Sequence, residues 1–145
     1  MKTTQRWMVV PTVLALMVTV AGATSSNAEV IDLTPGFKND PLIVKGQSGG
    51  QKQTRDCGKI AATPNQTIKM SGDFPYLRFS LQSTGKPTLL IQEPGGKRTC
   101  VSADSFSGGT IESPGYWKQG TYQIYIGDRA GGGQPYTLTI TQKAN

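Results

Sequence analysis

The sequence predicts an all-β fold: an antiparallel β-sandwich, jelly-roll-like or Greek-key, of seven to eight strands with one disulfide. Three observations carry that expectation. Apolar and polar residues alternate with period two through much of the chain, as in Tyr122-Gln123-Ile124-Tyr125-Ile126, which is the signature of half-buried strands. Gly, Pro, Asn and Asp break the alternation about every ten residues, the spacing of a sandwich rather than of strands separated by helices. No stretch has helical periodicity.

The first 28 residues stand apart from this pattern. Lys2 and Arg6 form a short basic segment, and Trp7 to Ala23 is apolar except for Pro11, Thr12, Thr19 and Gly22. Ser26-Asn27-Ala28 then places small residues at the −3 and −1 positions before Glu29. That is the pattern of a secretory signal peptide. An uncleaved membrane anchor is the rival, but about 17 residues is at the short end of what spans a bilayer, and the small-residue exit favours cleavage. No later stretch is apolar for long enough to cross a membrane. The expected product is secreted or periplasmic, with no membrane span after cleavage. The expected division is residues 1–28 as signal peptide, 29–55 as a flexible N-terminal arm and 56–145 as the sandwich domain.

In chain order, residues 29–55 are rich in Pro35-Gly36, Asn39-Asp40-Pro41 and Gly49-Gly50, with Leu42-Ile43-Val44 as one short candidate strand. Gln66 to Met70 places Ile68 and Met70 on one side, and Gly72-Asp73 turns. Tyr76 to Gln82 alternates, with Leu77, Phe79 and Leu81 inward. Thr88-Leu89-Leu90-Ile91 is continuously apolar apart from the threonine, as expected of a strand covered on both faces. Glu93-Pro94-Gly95-Gly96 ends it. Arg98–Ser102 and Thr110–Glu112 are the next candidates. Finally, Gly120–Ile126 and Tyr136–Thr141 alternate on either side of a Gly-rich stretch and read as an antiparallel hairpin.

Charge and cysteine content narrow the chemistry. The formal net charge is +6 from 15 basic and 9 acidic residues; removing Lys2 and Arg6 leaves 13 against 9, or +4. Only Lys97-Arg98 are adjacent, so no basic patch of the nucleic-acid type is formed in sequence. A weak preference for acidic polysaccharide or anionic surfaces is compatible with the sign of the charge. Two cysteines, Cys57 and Cys100, in an exported chain read as one structural disulfide.

The chain has no histidine, so neither a cysteine nor a serine nucleophile has the usual base. Zinc likewise lacks its ligands. Asp73, Glu93, Asp104, Glu112 and Asp128 all fall in or beside expected turns, where acids are ordinarily solvated. They do not suggest the facing pair that glycoside hydrolysis needs. No enzyme activity, cofactor or metal is expected.

Trp117-Lys118-Gln119-Gly120-Thr121-Tyr122-Gln123-Ile124-Tyr125-Ile126-Gly127 resembles the final strands of the pre-peptidase C-terminal type of small secreted bacterial β-sandwich domain. Asp56-Cys57-Gly58-Lys59-Ile60, Asp73-Phe74-Pro75-Tyr76-Leu77-Arg78-Phe79, Pro87-Thr88-Leu89-Leu90-Ile91 and Arg98-Thr99-Cys100 follow the same order. The resemblance covers about Cys57 to Thr141. It implies a non-catalytic accessory domain, several of whose kind bind polysaccharide or assist secretion. Many relatives of that type carry a run of aspartates after the second cysteine, which the resemblance implies as a calcium ligand set. Here Val101-Ser102-Ala103-Asp104 holds a single acid, so only weak calcium binding near Asp104 is left open.

One aromatic constellation points to ligand binding: Tyr116, Trp117 and Tyr125, with Phe106 and Tyr76 nearby in pattern. Exposed aromatic rings on a sheet stack against the apolar face of a sugar. The competing reading puts Trp117 in the core at the end of the sandwich and has Tyr116 capping a turn. The functional expectation is a monomeric, non-catalytic binding or accessory module whose partner is polysaccharide or an envelope protein, with no nucleic acid. A protein-directed role is the alternative: a protease-associated module, an inhibitor or a subunit of an envelope assembly.

Overall fold

Alternation in the sequence becomes eleven strands and no helix among residues 29–145, which the computed structural model describes. The expected signal peptide lies outside these described residues. The strands are β1 (Glu29–Leu33), β2 (Leu42–Gln47), β3 (Lys52–Gln53), β4 (Lys59–Ile60), β5 (Gln66–Met70) and β6 (Phe74–Ser83). They continue with β7 (Pro87–Gln92), β8 (Arg98–Ser102), β9 (Thr110–Trp117), β10 (Gly120–Asp128) and β11 (Pro135–Thr141). No described helix is long and apolar enough to cross a membrane.

Two sheets form the sandwich. In the seven-stranded sheet, β10 pairs with β5 and the two-residue β4 along one edge and with β7 along the other. β1, β3 and β8 lie outside these. The four-stranded sheet runs β2-β11-β6-β9. Every ladder is antiparallel except β1 with β5.

Alternation places the core as expected. Leu77, Phe79 and Leu81 from β6, Ile124 and Ile126 from β10, and Leu138 and Ile140 from β11 are all fully buried between the sheets. β7 is covered on both faces, as its unbroken apolar run predicts. Leu89 and Ile91 join the main core, while Leu90 faces a second, smaller cluster with Cys57 and Ile60. That outer cluster explains the disulfide. Tyr125, Leu90 and Cys100 form a row across β10, β7 and β8, and the Cys57–Cys100 bond, with Cα atoms 5.8 Å apart, clamps the 54–60 segment over the row. The segment sits close because residue 127 is glycine: a Cβ there would lie 2.6 Å from the Cys57 carbonyl oxygen. That oxygen accepts a 2.7 Å hydrogen bond from Thr88 Oγ1.

The structure departs from the sequence expectations in three places. First, β10 and β11 are not a hairpin; they belong to different sheets, and residues 129–134 cross between the layers. Period two reports which face is buried, not which sheet holds the strand, and two strands facing each other across a core share the pattern of a hairpin. Seven of the ten connections cross in this way. Second, there are eleven strands rather than seven or eight, because β1, β3 and β4 are too short or too polar to show a period.

Third, residues 29–55 contribute β1, β2 and β3, so strands of the sandwich begin at Glu29. Leu33 and Val44 reach the core. The Gln142 side chain fastens the loop between β1 and β2, accepting from Gly36 N–H at 2.7 Å and donating to the Phe37 carbonyl at 3.0 Å.

Candidate functional site

The two sheets leave an opening beside edge strands β8 and β9, and the predicted residues Tyr116 and Trp117 stand there. Strand alternation turns them opposite ways. Trp117 faces inward, 8% exposed, with its indole N–H donating to the Leu77 carbonyl at 3.0 Å. Its ring packs 4.6 Å from Phe79 and 5.2 Å from Tyr122, centroid to centroid. Tyr122 is anchored in turn by donating to the Lys118 carbonyl at 2.9 Å. These contacts are those of the core reading, so Trp117 is first a packing residue whose edge borders the opening.

Tyr116 faces outward and is 57% exposed. Its hydroxyl donates to Asp73 Oδ2 at 2.7 Å, and Asp73 Oδ1 accepts the Gln119 backbone N–H at 2.7 Å. One carboxylate thus fixes both the tyrosine and the turn that follows it. These donors act on titration too. The Gln119 N–H, and after it the Tyr116 hydroxyl, hold the Asp73 carboxyl below its ordinary value, and the same bond pushes the Tyr116 phenol above its own.

Between these groups and the 93–97 turn lies a groove of about 450 Å³, lined among others by Pro94, Lys97, Thr99, Tyr116, Trp117 and Gln119. Lys97 pairs with Glu93 at 3.8 Å on the rim. Such an exposed pair adds little stability.

Tyr125 is elsewhere. It is half-buried against the disulfide cluster on the seven-stranded sheet and does not line this groove. Tyr116 and Trp117 are therefore brought together and Tyr125 is not. Phe106, in the loop between β8 and β9, is 95% exposed. Asp104 Oδ1 accepts the Phe106 backbone N–H at 2.9 Å and so shapes that loop. Among the described residues no three His, Cys, Asp or Glu side chains gather as a metal site.

Sequence reasoning misses Asp73 as a site residue because Gly72-Asp73 reads as an ordinary turn. Its partners lie 43 and 46 positions away, and no local pattern signals such pairing. A larger cleft, about 640 Å³, opens between edge strands β1 and β2 and holds none of the predicted residues.

Comparison with known proteins bears on the fold and the family. No protein-family model matches the chain. The pre-peptidase C-terminal domain of a Bacillus anthracis collagenase superposes on 79% of this chain and 97% of its own length, with a TM-score of 0.52 and 15% identity. That is a likeness of fold, and it agrees with the resemblance read from the sequence. A periplasmic inhibitor of g-type lysozyme from Aeromonas hydrophila covers 79% of this chain and 98% of its own, at a TM-score of 0.37 and 14% identity. That likeness is too distant to carry anything over. An uncharacterised protein of Synechococcus elongatus is 36% identical over 104 residues, which span 69% of this chain and 75% of that protein. The chain, a β-sandwich whose fold is like that of the collagenase domain, belongs to the family of this Synechococcus elongatus protein.

Proposed function

We propose that the protein is an exported, monomeric, non-catalytic binding module that takes polysaccharide in the groove beside Tyr116. The observation that carries this reading is an exposed aromatic ring locked in place: Asp73 holds the Tyr116 hydroxyl at 2.7 Å. A ring fixed before binding loses little freedom on contact, and its face suits the apolar face of a sugar. Lys97, Thr99 and Gln119 stand around it as partners for hydroxyl groups. Trp117 borders the groove while holding the core. Tyr125 is assigned to packing under the disulfide.

Export is supported by the leader pattern before Glu29 and by a disulfide, which persists in oxidising compartments. A non-catalytic role is supported by the absence of histidine. The acids near the groove are also engaged, Asp73 with protein donors and Glu93 with Lys97.

A protein-directed role is the second reading, and one observation favours it. Phe106 presents an apolar ring, 95% exposed, in the loop between β8 and β9, and exposed rings of this kind anchor protein interfaces. One experiment separates the two. Retention of the processed protein is measured on a panel of insoluble neutral and acidic glycans, together with Tyr116→Ala and Phe106→Ala. The glycan reading predicts retention that weakens about tenfold in Tyr116→Ala, the equivalent of ~1.4 kcal/mol, and is unchanged in Phe106→Ala. No retention on any glycan, with one co-purifying protein lost in Phe106→Ala, would transfer the assignment to the second reading.

A further inference from the structure

The cleft between β1 and β2 has the size of a ligand site, about 640 Å³, within the range of roughly 300–1,000 Å³ that small-molecule sites occupy. Its wall is largely backbone. Gly46, Gly49, Gly50 and the run Gly131-Gly132-Gly133 line it, so a ligand meets peptide groups directly.

At its floor three polar side chains converge. Tyr136 is 4% exposed and Gln66 is 3% exposed, and the Tyr136 hydroxyl lies beside the side-chain amides of Gln66 and Asn65. Asn65 is committed to the frame: its Oδ1 accepts the Ile126 N–H at 2.8 Å and its Nδ2 donates to the Gln47 carbonyl at 3.3 Å. Gln66 is not, since its buried Oε1 accepts nothing from any described residue.

Two features here oppose stability. A buried amide with an unmet polar atom is destabilising. A glycine inside strand β2 adds a backbone-entropy cost. Gly46 is what admits the Tyr136 hydroxyl, because a Cβ at 46 would lie 2.6 Å from that oxygen. Both features serve to bring a phenol and an amide to the cleft.

Charge and shape specify the ligand. Glu29 and Lys45 are the charged side chains of the lining, one of each sign, so no cluster of like charge marks the cleft for an ion; cleavage before Glu29 would add a single α-ammonium at its end. Hydroxyl groups both donate and accept, as does a phenol, and an amide offers the same pair as a fork. We propose that this cleft is a second binding site, taking a small neutral polyhydroxylated ligand, a monosaccharide or disaccharide unit. It is independent of the Tyr116 groove, since no residue lines both.

The test is an amide NMR titration of the processed protein with glucose, N-acetylglucosamine, maltose and cellobiose, and with tetraglycine as a neutral peptide. The expected result is that at least one sugar shifts the amides of Gly49–Gln51 and Gly131–Gly133, with a Kd on the order of 1 mM. Tyr136→Phe, which keeps the ring and removes only the hydroxyl, should weaken that sugar at least about tenfold. Gln66→Met should weaken it comparably while melting no lower than the parent. Tyr116→Ala should leave these shifts unchanged, so failure here and failure at the Tyr116 groove are told apart. No shift at these glycines up to roughly 50 mM of any sugar, shifts from tetraglycine alone, or undiminished binding by Tyr136→Phe would each overturn the proposal.

Discussion

At the scale of single residues, Asp73 organises the Tyr116 groove through two hydrogen bonds to one carboxylate. Its folded-state value is depressed, so the clamp makes its full contribution above the unfolded aspartate value, about 3.9, and loses it as pH falls through the lower folded value. The Gln119 amide resonance should therefore titrate with a midpoint below about 3.9; a midpoint at or above it would show that the clamp is not formed. Trp117 illustrates how far alternation reaches at this scale. Its phase along β9 alone makes it inward, and its neighbour Tyr116 outward. What alternation does not reveal is that an inward tryptophan at an edge strand still borders an opening, or that an aspartate in another turn fixes the outward ring. Those facts depend on contacts made across more than forty residues.

At the scale of elements, the strands with a strong period are legible in the sequence and their partners are not. The alternation of β6, β10 and β11, and the unbroken apolar run of β7, give their buried faces correctly. The pairing of β10 with β5 and β7, and of β11 with β2 and β6, stays hidden, because register and sheet membership are set by packing rather than by local pattern. β1 and β2 resemble an arm because Pro35-Gly36, Pro41 and Gly46 dominate their surroundings, yet Leu33 and Val44 reach the core, Ile31 and Leu42 pack against it, and both strands join ladders with β5 and β11. The Cys57–Cys100 bond is legible from cysteine count and expected compartment. Its position over an outer cluster of Leu90, Ile60 and Tyr125 is not. The bond spans a sequence separation of 43, for which chain entropy gives about 4 kcal/mol. Reduction by dithiothreitol should lower the melting temperature by roughly 15 °C. An unchanged melt would mean that the 54–60 segment is held by its packing and hydrogen bonds alone.

At the scale of the whole molecule, a sandwich whose chain repeatedly changes sheets presents an opening at each side, one between β8 and β9 and one between β1 and β2. The first is aromatic and rimmed by charge; the second is glycine-walled and polar. Both have fixed side chains around a concave surface, which is what recognition requires. The proposed groove carries its own reporter. Of the two tryptophans in the chain, Trp7 falls in the expected leader, so the proposed processing would leave Trp117 as the single tryptophan, and it lines the groove. The decisive measurement is a titration of its fluorescence with soluble oligosaccharides cut from whichever glycan retains the protein. A saturable change in emission whose midpoint Tyr116→Ala raises about tenfold is the predicted result; retention on the glycan with Trp117 emission unmoved would place the sugar elsewhere and contradict the account.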